Sequence, residues 1–64
     1  MKINGELINL KNNITITDLL LEKGYNQKRV AIELNGTIIK KSEFDTTTLS
    51  DKDTLEIVNF VGGG

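Results

Sequence analysis

Short apolar stretches near the start and in the middle of the chain are each interrupted by an Asn-Gly pair, Asn4-Gly5 and Asn35-Gly36. Asn-Gly between apolar runs favours a type I′ turn, because both residues tolerate a positive φ. The pattern therefore predicts two β-hairpins. In the first, residues 1–3 pair with 6–10, and in the second, residues 29–34 pair with 37–40.

Between the hairpins the apolar spacing becomes helical, with Ile16, Leu19 and Leu20 on one face. Thr15 precedes them as an N-cap, and Asp18 three residues later forms an acidic variant of the capping box. Gly24 provides a left-handed helix end. The pattern predicts a helix over Ile16–Lys23, which is too short to be stable alone and needs a sheet to pack against.

Residues 54–61 are rich in β-branched and aromatic side chains, which predicts that they form the last and longest strand. Phe44 and Leu49 anchor the polar connection before it, which turns at residues 51–53. The last strand has no hairpin partner, so it can pair in parallel with the first strand, between the hairpins. Five short strands and one helix do not suffice for two sheets. We therefore predict an α+β fold in which one mixed five-stranded (or four-stranded) sheet carries one helix on one face.

Composition limits the function. The 64 residues allow one domain, which we assign to residues 1–61, with residues 62–64 as a flexible glycine tail. Without Cys or His there are no disulfides, no thiolate nucleophiles, none of the usual zinc sites and no imidazole for acid–base catalysis near neutral pH. The net charge of −1 disfavours nucleic acid and membrane surfaces as partners. With no membrane span and no leader, we expect a cytoplasmic carrier or binding protein, not an enzyme, with no bound metal or cofactor.

Alternation along the last strand places Leu55 and Ile57 towards the helix, and Val58 and Phe60 on the opposite face. Large apolar side chains there need a cover, and such patches mark partner surfaces. The predicted docking patch contains Phe60, Val58, Ala31 and Leu7. The alternative is a β-bulge that turns Phe60 into the core.

The acidic side chains do not indicate a site of their own. Asp51 and Asp53 fit a solvated turn better than a metal site or an acid–base pair. We expect Glu33 and Glu56 to pair with surface lysines.

The chain ends in Gly62, Gly63 and Gly64. A segment without side chains can enter a narrow channel where any Cβ would clash. The terminal carboxylate of Gly64 becomes reactive only when its oxygen is made a good leaving group, for example as an acyl-adenylate. The alternative is a flexible end or a cloning scar.

Several segments together match one family. They are Met1-Lys2-Ile3 with Asn4-Gly5-Glu6, Thr15-Ile16 leading into Leu19-Leu20, Val30-Ala31-Ile32-Glu33-Leu34-Asn35-Gly36 with Ile38-Ile39, Thr48-x-x-Asp51-x-Asp53-x-Leu55-Glu56-Ile57-Val58, and Phe60-Val61-Gly62-Gly63-Gly64. By these segments the chain resembles the ThiS family, small ubiquitin-like β-grasp sulfur carriers of thiamine biosynthesis. It departs from the family at Lys52, where Gly is frequent, and at Lys40, where Pro is frequent.

The resemblance implies a mechanism. An adenylating enzyme related to ubiquitin-activating enzymes would use MgATP to convert the Gly64 carboxylate to an acyl-adenylate, with Gly62 and Gly63 inserted in its active site. Sulfur from a persulfide donor would displace AMP and leave a C-terminal thiocarboxylate. Thiazole synthase would then take the sulfur for the thiazole ring.

Three other functions remain open at this point. The chain could be a molybdopterin-type sulfur carrier with the same tail chemistry. It could be a ubiquitin-like modifier joined to lysines through Gly64. It could also be an interaction domain in which the glycines have no function.

Overall fold

The computed structural model describes residues 1–10 and 12–60 of the chain. Its helix α1 spans Ile16–Lys23. Its strands are β1 Lys2–Ile3, β2 Glu6–Leu7, β3 Ile14–Thr15, β4 Val30–Leu34, β5 Thr37–Ile39, β6 Thr48–Leu49 and β7 Thr54–Asn59. Short 3-10 turns cover Gln27–Arg29 and Lys41–Glu43. The predictions for Val61 and for the glycine tail, residues 62–64, lie outside the described residues.

Five strands form one mixed sheet in the order β2-β1-β7-β4-β5. The last strand is central, as predicted. It pairs in parallel with β1, where Lys2 lies opposite Thr54, and antiparallel with β4, where Leu34 lies opposite Leu55. The first hairpin is shorter than predicted, since its second strand ends at Leu7 and its backbone hydrogen bonds end with the pair Met1 and Ile8.

The predicted mixed five-stranded sheet with one helix is confirmed, but the statement that there is no second sheet was wrong, because β3 and β6 form a further sheet of two strands. Its physical cause is long-range packing: Phe44 and Leu49 are fully buried and hold the connection against α1. The backbone N–H of Ile16 donates to the carbonyl of Thr47, and that of Thr17 to the carbonyl of Phe44. The connection thus pairs N–H groups that the first turn of a helix leaves without partners.

Both hairpin turns have the predicted type I′ backbone. Asn4 and Asn35 each have φ 51°, and the glycines that follow them have φ 82° and 86°. The predicted capping box is also present, because Thr15 Oγ1 accepts from the Asp18 N–H and the Asp18 carboxylate accepts from the Thr15 N–H. Gly24 ends the helix with φ 79°. Local sequence signals therefore set the boundaries of these elements.

Buried apolar side chains fill the space between α1 and one face of the five-stranded sheet. They are Met1, Ile3, Ile16, Leu19, Leu20, Val30, Ile32, Phe44, Leu49, Leu55 and Ile57. The other face of this sheet, here called the open face, is not covered by α1. No helix within residues 1–10 and 12–60 has the length and hydropathy that a membrane crossing requires.

Candidate functional site: the open face of the sheet

Exposed and buried side chains alternate along β7 from Thr54 to Val58, and Asn59 at its end is exposed. Leu55 and Ile57 are buried towards α1, whereas Val58 and Phe60 are 54% and 56% exposed on the open face. The pairing of β7 with β4 is regular from Leu55 to Asn59. The alternative in which a bulge turns Phe60 into the core is therefore wrong.

Three of the four predicted patch residues lie together. Ala31 lies directly opposite Val58 in the pairing of β4 with β7. The backbone N–H of Phe60 donates to the carbonyl of Arg29, two residues before Ala31, at 2.6 Å. We call Phe60, Val58 and Ala31 the apolar patch. It lies at the end of the sheet where the C-terminal residues leave β7.

Leu7 shares the open face but lies outside the apolar patch. It is 76% exposed and pairs with Lys2, which in turn lies opposite Thr54. Thr54 is four residues before Val58, so Leu7 is displaced from Val58 by about 13 Å along the strands and about 10 Å across them. Leu7 could form a separate contact but does not extend the patch.

The sequence analysis did not identify Ile38 as part of the open face, where its side chain is 67% exposed. Ile38 pairs with Glu33 across β4 and β5, and Glu33 pairs with Glu56 across β4 and β7. The alternation of side chains along β5 could have identified Ile38, because Ile39 packs against the core and its neighbour Ile38 must face away.

Glu33 and Glu56 do not form the expected pairs with lysines. Within residues 1–10 and 12–60, the only ion pair joins the Met1 ammonium to Asp51 at 3.1 Å. The two glutamates instead lie opposite each other in neighbouring strands of the open face. The centre of this face therefore carries two carboxylates side by side.

Asp51 and Asp53 hold backbone in place, which agrees with the predicted turn. Asp51 accepts from the Leu10 N–H at 3.0 Å and from the Met1 ammonium at 3.1 Å, and in that order these contacts lower its pKa. Asp53 accepts from the Asn35 side-chain amide and from the Ser50 N–H, which lower its pKa too. No group of three or more His, Cys, Asp or Glu among the described residues is arranged to hold a metal ion.

Gly62, Gly63 and Gly64, the residues predicted to carry the chemistry, lie outside the described residues, and their roles stay predictions. What the structure does locate is the point from which this segment starts. Four residues separate Phe60 from the Gly64 carboxylate, so covalent geometry limits their separation to about 14 Å.

The family model for the ThiS family matches residues 1–64. This chain belongs to the ThiS family. It is 40% identical over 65 residues to the "Sulfur carrier protein ThiS" of Bacillus subtilis, a match that covers 100% of this chain and 98% of that protein. The crystal structure of the thiamine biosynthesis protein ThiS from Geobacter metallireducens superimposes with a TM-score of 0.82 at 33% identity, over 98% of this chain and 96% of that one.

A third similarity connects the ThiS family to a larger protein. This chain is 44% identical over 62 residues to the "Thiazole synthase" of Paramagnetospirillum magneticum, a match that covers 97% of this chain but only 19% of that protein. The predicted ubiquitin-like β-grasp fold is thus confirmed by the ThiS structure, and the family is that of a small sulfur carrier protein of thiamine biosynthesis.

Proposed function

We propose that this chain carries sulfur as a thiocarboxylate on Gly64 and donates it for the thiazole ring of thiamine. In this role it is a co-substrate of partner enzymes and not itself a catalyst. Membership of the ThiS family supports this proposal over a molybdopterin-type carrier or a protein modifier.

The chemistry begins with a carboxylate that nucleophiles do not attack. A partner adenylating enzyme would use MgATP to join the Gly64 carboxylate to AMP with loss of pyrophosphate. The terminal sulfur of a persulfide donor would attack the activated carbonyl and displace AMP. A thiol would then attack the donor's own sulfur in this acyl disulfide, break its S–S bond and form a new disulfide with the donor. This would release the thiocarboxylate, a better nucleophile than the carboxylate at neutral pH. ATP and Mg²⁺ belong to the partner in this scheme, and this chain binds no cofactor.

One observation carries the proposal: β7 is the central strand of the sheet, Phe60 just after it is exposed, and the glycines follow Phe60 closely in the sequence. An enzyme that binds the apolar patch would have the Gly64 carboxylate within about 14 Å of Phe60. Gly62 and Gly63 suit a narrow channel to the nucleotide because they have no side chains. Binding at the patch would offset the backbone entropy lost when this segment is held, about 1–2 kcal/mol per residue.

Thiazole synthase is the proposed acceptor of the sulfur. The support is the Paramagnetospirillum magneticum thiazole synthase, in which a region similar to nearly all of this chain occupies 19% of a longer protein. A carrier region joined to a synthase in one polypeptide would keep the carried sulfur close to the synthase. The adenylating enzyme and the persulfide donor are proposed because the resemblance to the ThiS family implies them. We propose no nucleic-acid and no membrane partner.

Intact-mass spectrometry tests the proposal. The chain is incubated with the adenylating enzyme of its own organism, ATP and a persulfide donor, and a reaction without ATP is the control. The expected change is the loss of one oxygen and the gain of one sulfur, in the complete reaction only. An unchanged mass, under conditions in which the Bacillus subtilis sulfur carrier is converted, would reject it.

A further inference from the structure

We infer that Glu33 and Glu56 together bind a basic side chain of the partner protein, an arginine or a lysine, when that protein docks on the open face. The inference rests on the proposed function only for the choice of partner, the adenylating enzyme that receives the C-terminal segment. It adds a polar, orienting contact to the apolar patch.

The first support is the register of the sheet. Glu33 in β4 lies directly opposite Glu56 in β7, in two strands that form the middle of the sheet. Their neighbours Ile32 and Ile57 point into the core, so both glutamates point to the open face. Side chains opposite each other in an antiparallel pair have Cβ atoms about 5 Å apart.

The second support is that the protein does not neutralise this pair itself. In the described part of the chain, neither glutamate has a basic group within ion-pair distance. Like charges directly opposite each other destabilise a sheet. The core does not require them, because both side chains face away from it. Neither stability nor packing therefore accounts for the two glutamates, whereas binding of a cation from a partner would.

The third support is the apolar surroundings of the pair. Val58 lies two residues beyond Glu56 on the same face, and Ile38 lies opposite Glu33 on the other side. A cation bound between them would lose contact with water, which strengthens its attraction to the carboxylates. The planar guanidinium of arginine has enough N–H groups to donate to both carboxylates at once.

Charge also argues against a second copy of this chain as the occupant. A symmetric dimer centred on this pair would bring four carboxylates together, because a two-fold interface uses the same surface on both subunits. The surface instead requires a partner that presents a cation flanked by apolar groups. Glu56 is four residues before Phe60, about 13 Å along the strand, so the two contacts would fix the direction in which β7 points at the partner.

The test compares two double variants with the same change in charge. In E33Q/E56Q both carboxylates of the pair become amides. In the control, E22Q/E43Q, two exposed glutamates outside the sheet are changed in the same way. Dissociation constants for the adenylating enzyme are measured by calorimetry at low and at high salt, without ATP. Thermal melting and sedimentation of the free chain are measured in parallel.

We expect E33Q/E56Q to bind about tenfold or more weakly at low salt, to lose most of the salt dependence of binding, and to melt no lower than the wild type. The control should bind within about twofold of the wild type. Equal weakening of both variants would show general electrostatic attraction and overturn the inference, as would an unchanged affinity of E33Q/E56Q. A wild-type dimer that the E33Q/E56Q change strengthens or dissociates would assign the face to a second copy instead. Since binding is measured without sulfur transfer, the inference and the proposed function can fail separately.

Discussion

The side-chain amide of Asn4 forms two hydrogen bonds with the backbone of Ile57. Asn4 Nδ2 donates to the Ile57 carbonyl at 3.2 Å, and Asn4 Oδ1 accepts from the Ile57 N–H at 2.7 Å. The turn residue of the first hairpin therefore continues the pairing of β1 with β7 beyond the end of β1. Asn35, in the turn of the second hairpin, accepts from the Thr54 N–H at 2.9 Å on the other side of β7. Both hairpin turns thus fasten the strand that leads to the C-terminal segment.

Asn4 has two roles, since it adopts the positive φ of the turn and its side chain bonds to Ile57. Replacing Asn4 by glycine tests the second role alone. Glycine tolerates the positive φ of the turn, but it leaves the Ile57 N–H and carbonyl without their partners. We expect N4G to lose about 1–3 kcal/mol of unfolding free energy, measured by urea denaturation. N9G, which changes an exposed asparagine outside the turns, controls for the entropy of an added glycine. An N4G variant as stable as N9G would show that the Ile57 contacts contribute nothing.

Stability should fall as the solution becomes acidic. The pKa values of Asp51 and Asp53 are lower in the folded chain than in the unfolded chain, so the stability they contribute is fully present above the ordinary aspartate value of about 3.9. This contribution is lost as the pH falls from there through the folded pKa values. Urea denaturation at several pH values below neutrality should show this loss in the wild type.

The double variant D51N/D53N should lose less stability than the wild type between neutral pH and pH about 3. E6Q, which removes the exposed carboxylate of Glu6 in β2, is the control for the loss of a surface negative charge. If D51N/D53N and the wild type show the same dependence on pH, the two aspartates do not carry it.

Replacing Phe60 by alanine should affect binding more than folding. Its side chain is 56% exposed on the open face, so we expect a small change in the free energy of unfolding. Binding of the adenylating enzyme should weaken by about 2 kcal/mol, as for a buried anchor of an interface. L21A is the matched control, because Leu21 is 66% exposed on the helix. An unchanged affinity of folded F60A for the adenylating enzyme would show that Phe60 is not a contact of the partner.

Replacing Gly63 by valine should impair adenylation without changing the stability of the fold. Gly63 comes four residues after the end of β7 in the sequence, so we expect the melting temperature to stay close to that of the wild type. Adenylation should fall steeply, because a β-branched side chain would clash in a narrow channel. The measurement is ATP-dependent thiocarboxylate formation by mass spectrometry. Wild-type levels of product would mean that position 63 does not enter such a channel.

Much of the fold could be predicted because its signals are local. The Asn-Gly turns, the capping box of Thr15 and Asp18, and Gly24 each specify a backbone conformation within a few residues. The central place of β7 followed from the absence of a hairpin partner. The turns, the capping box and the helix end depend on neighbours in the sequence, where propensity and period are informative.

The features that the sequence analysis missed depend on residues far apart in the chain. The pairing of β3 with β6 joins Ile14 to Leu49, and it exists because Phe44 and Leu49 are buried. The contact between Asn4 and Ile57 spans 53 positions. The opposition of Glu33 and Glu56 requires the exact register of β4 on β7, which no local pattern specifies.

The most direct test of the account locates the sulfur. After the complete reaction with the adenylating enzyme, ATP and persulfide donor, the chain is digested and its C-terminal peptide is analysed by mass spectrometry, beside a chain that lacks Gly64. The account predicts that one oxygen is replaced by one sulfur in the peptide that ends at Gly64, and that the shortened chain stays unmodified. An unmodified C-terminal peptide in the wild type, or equal modification of the shortened chain, would contradict it.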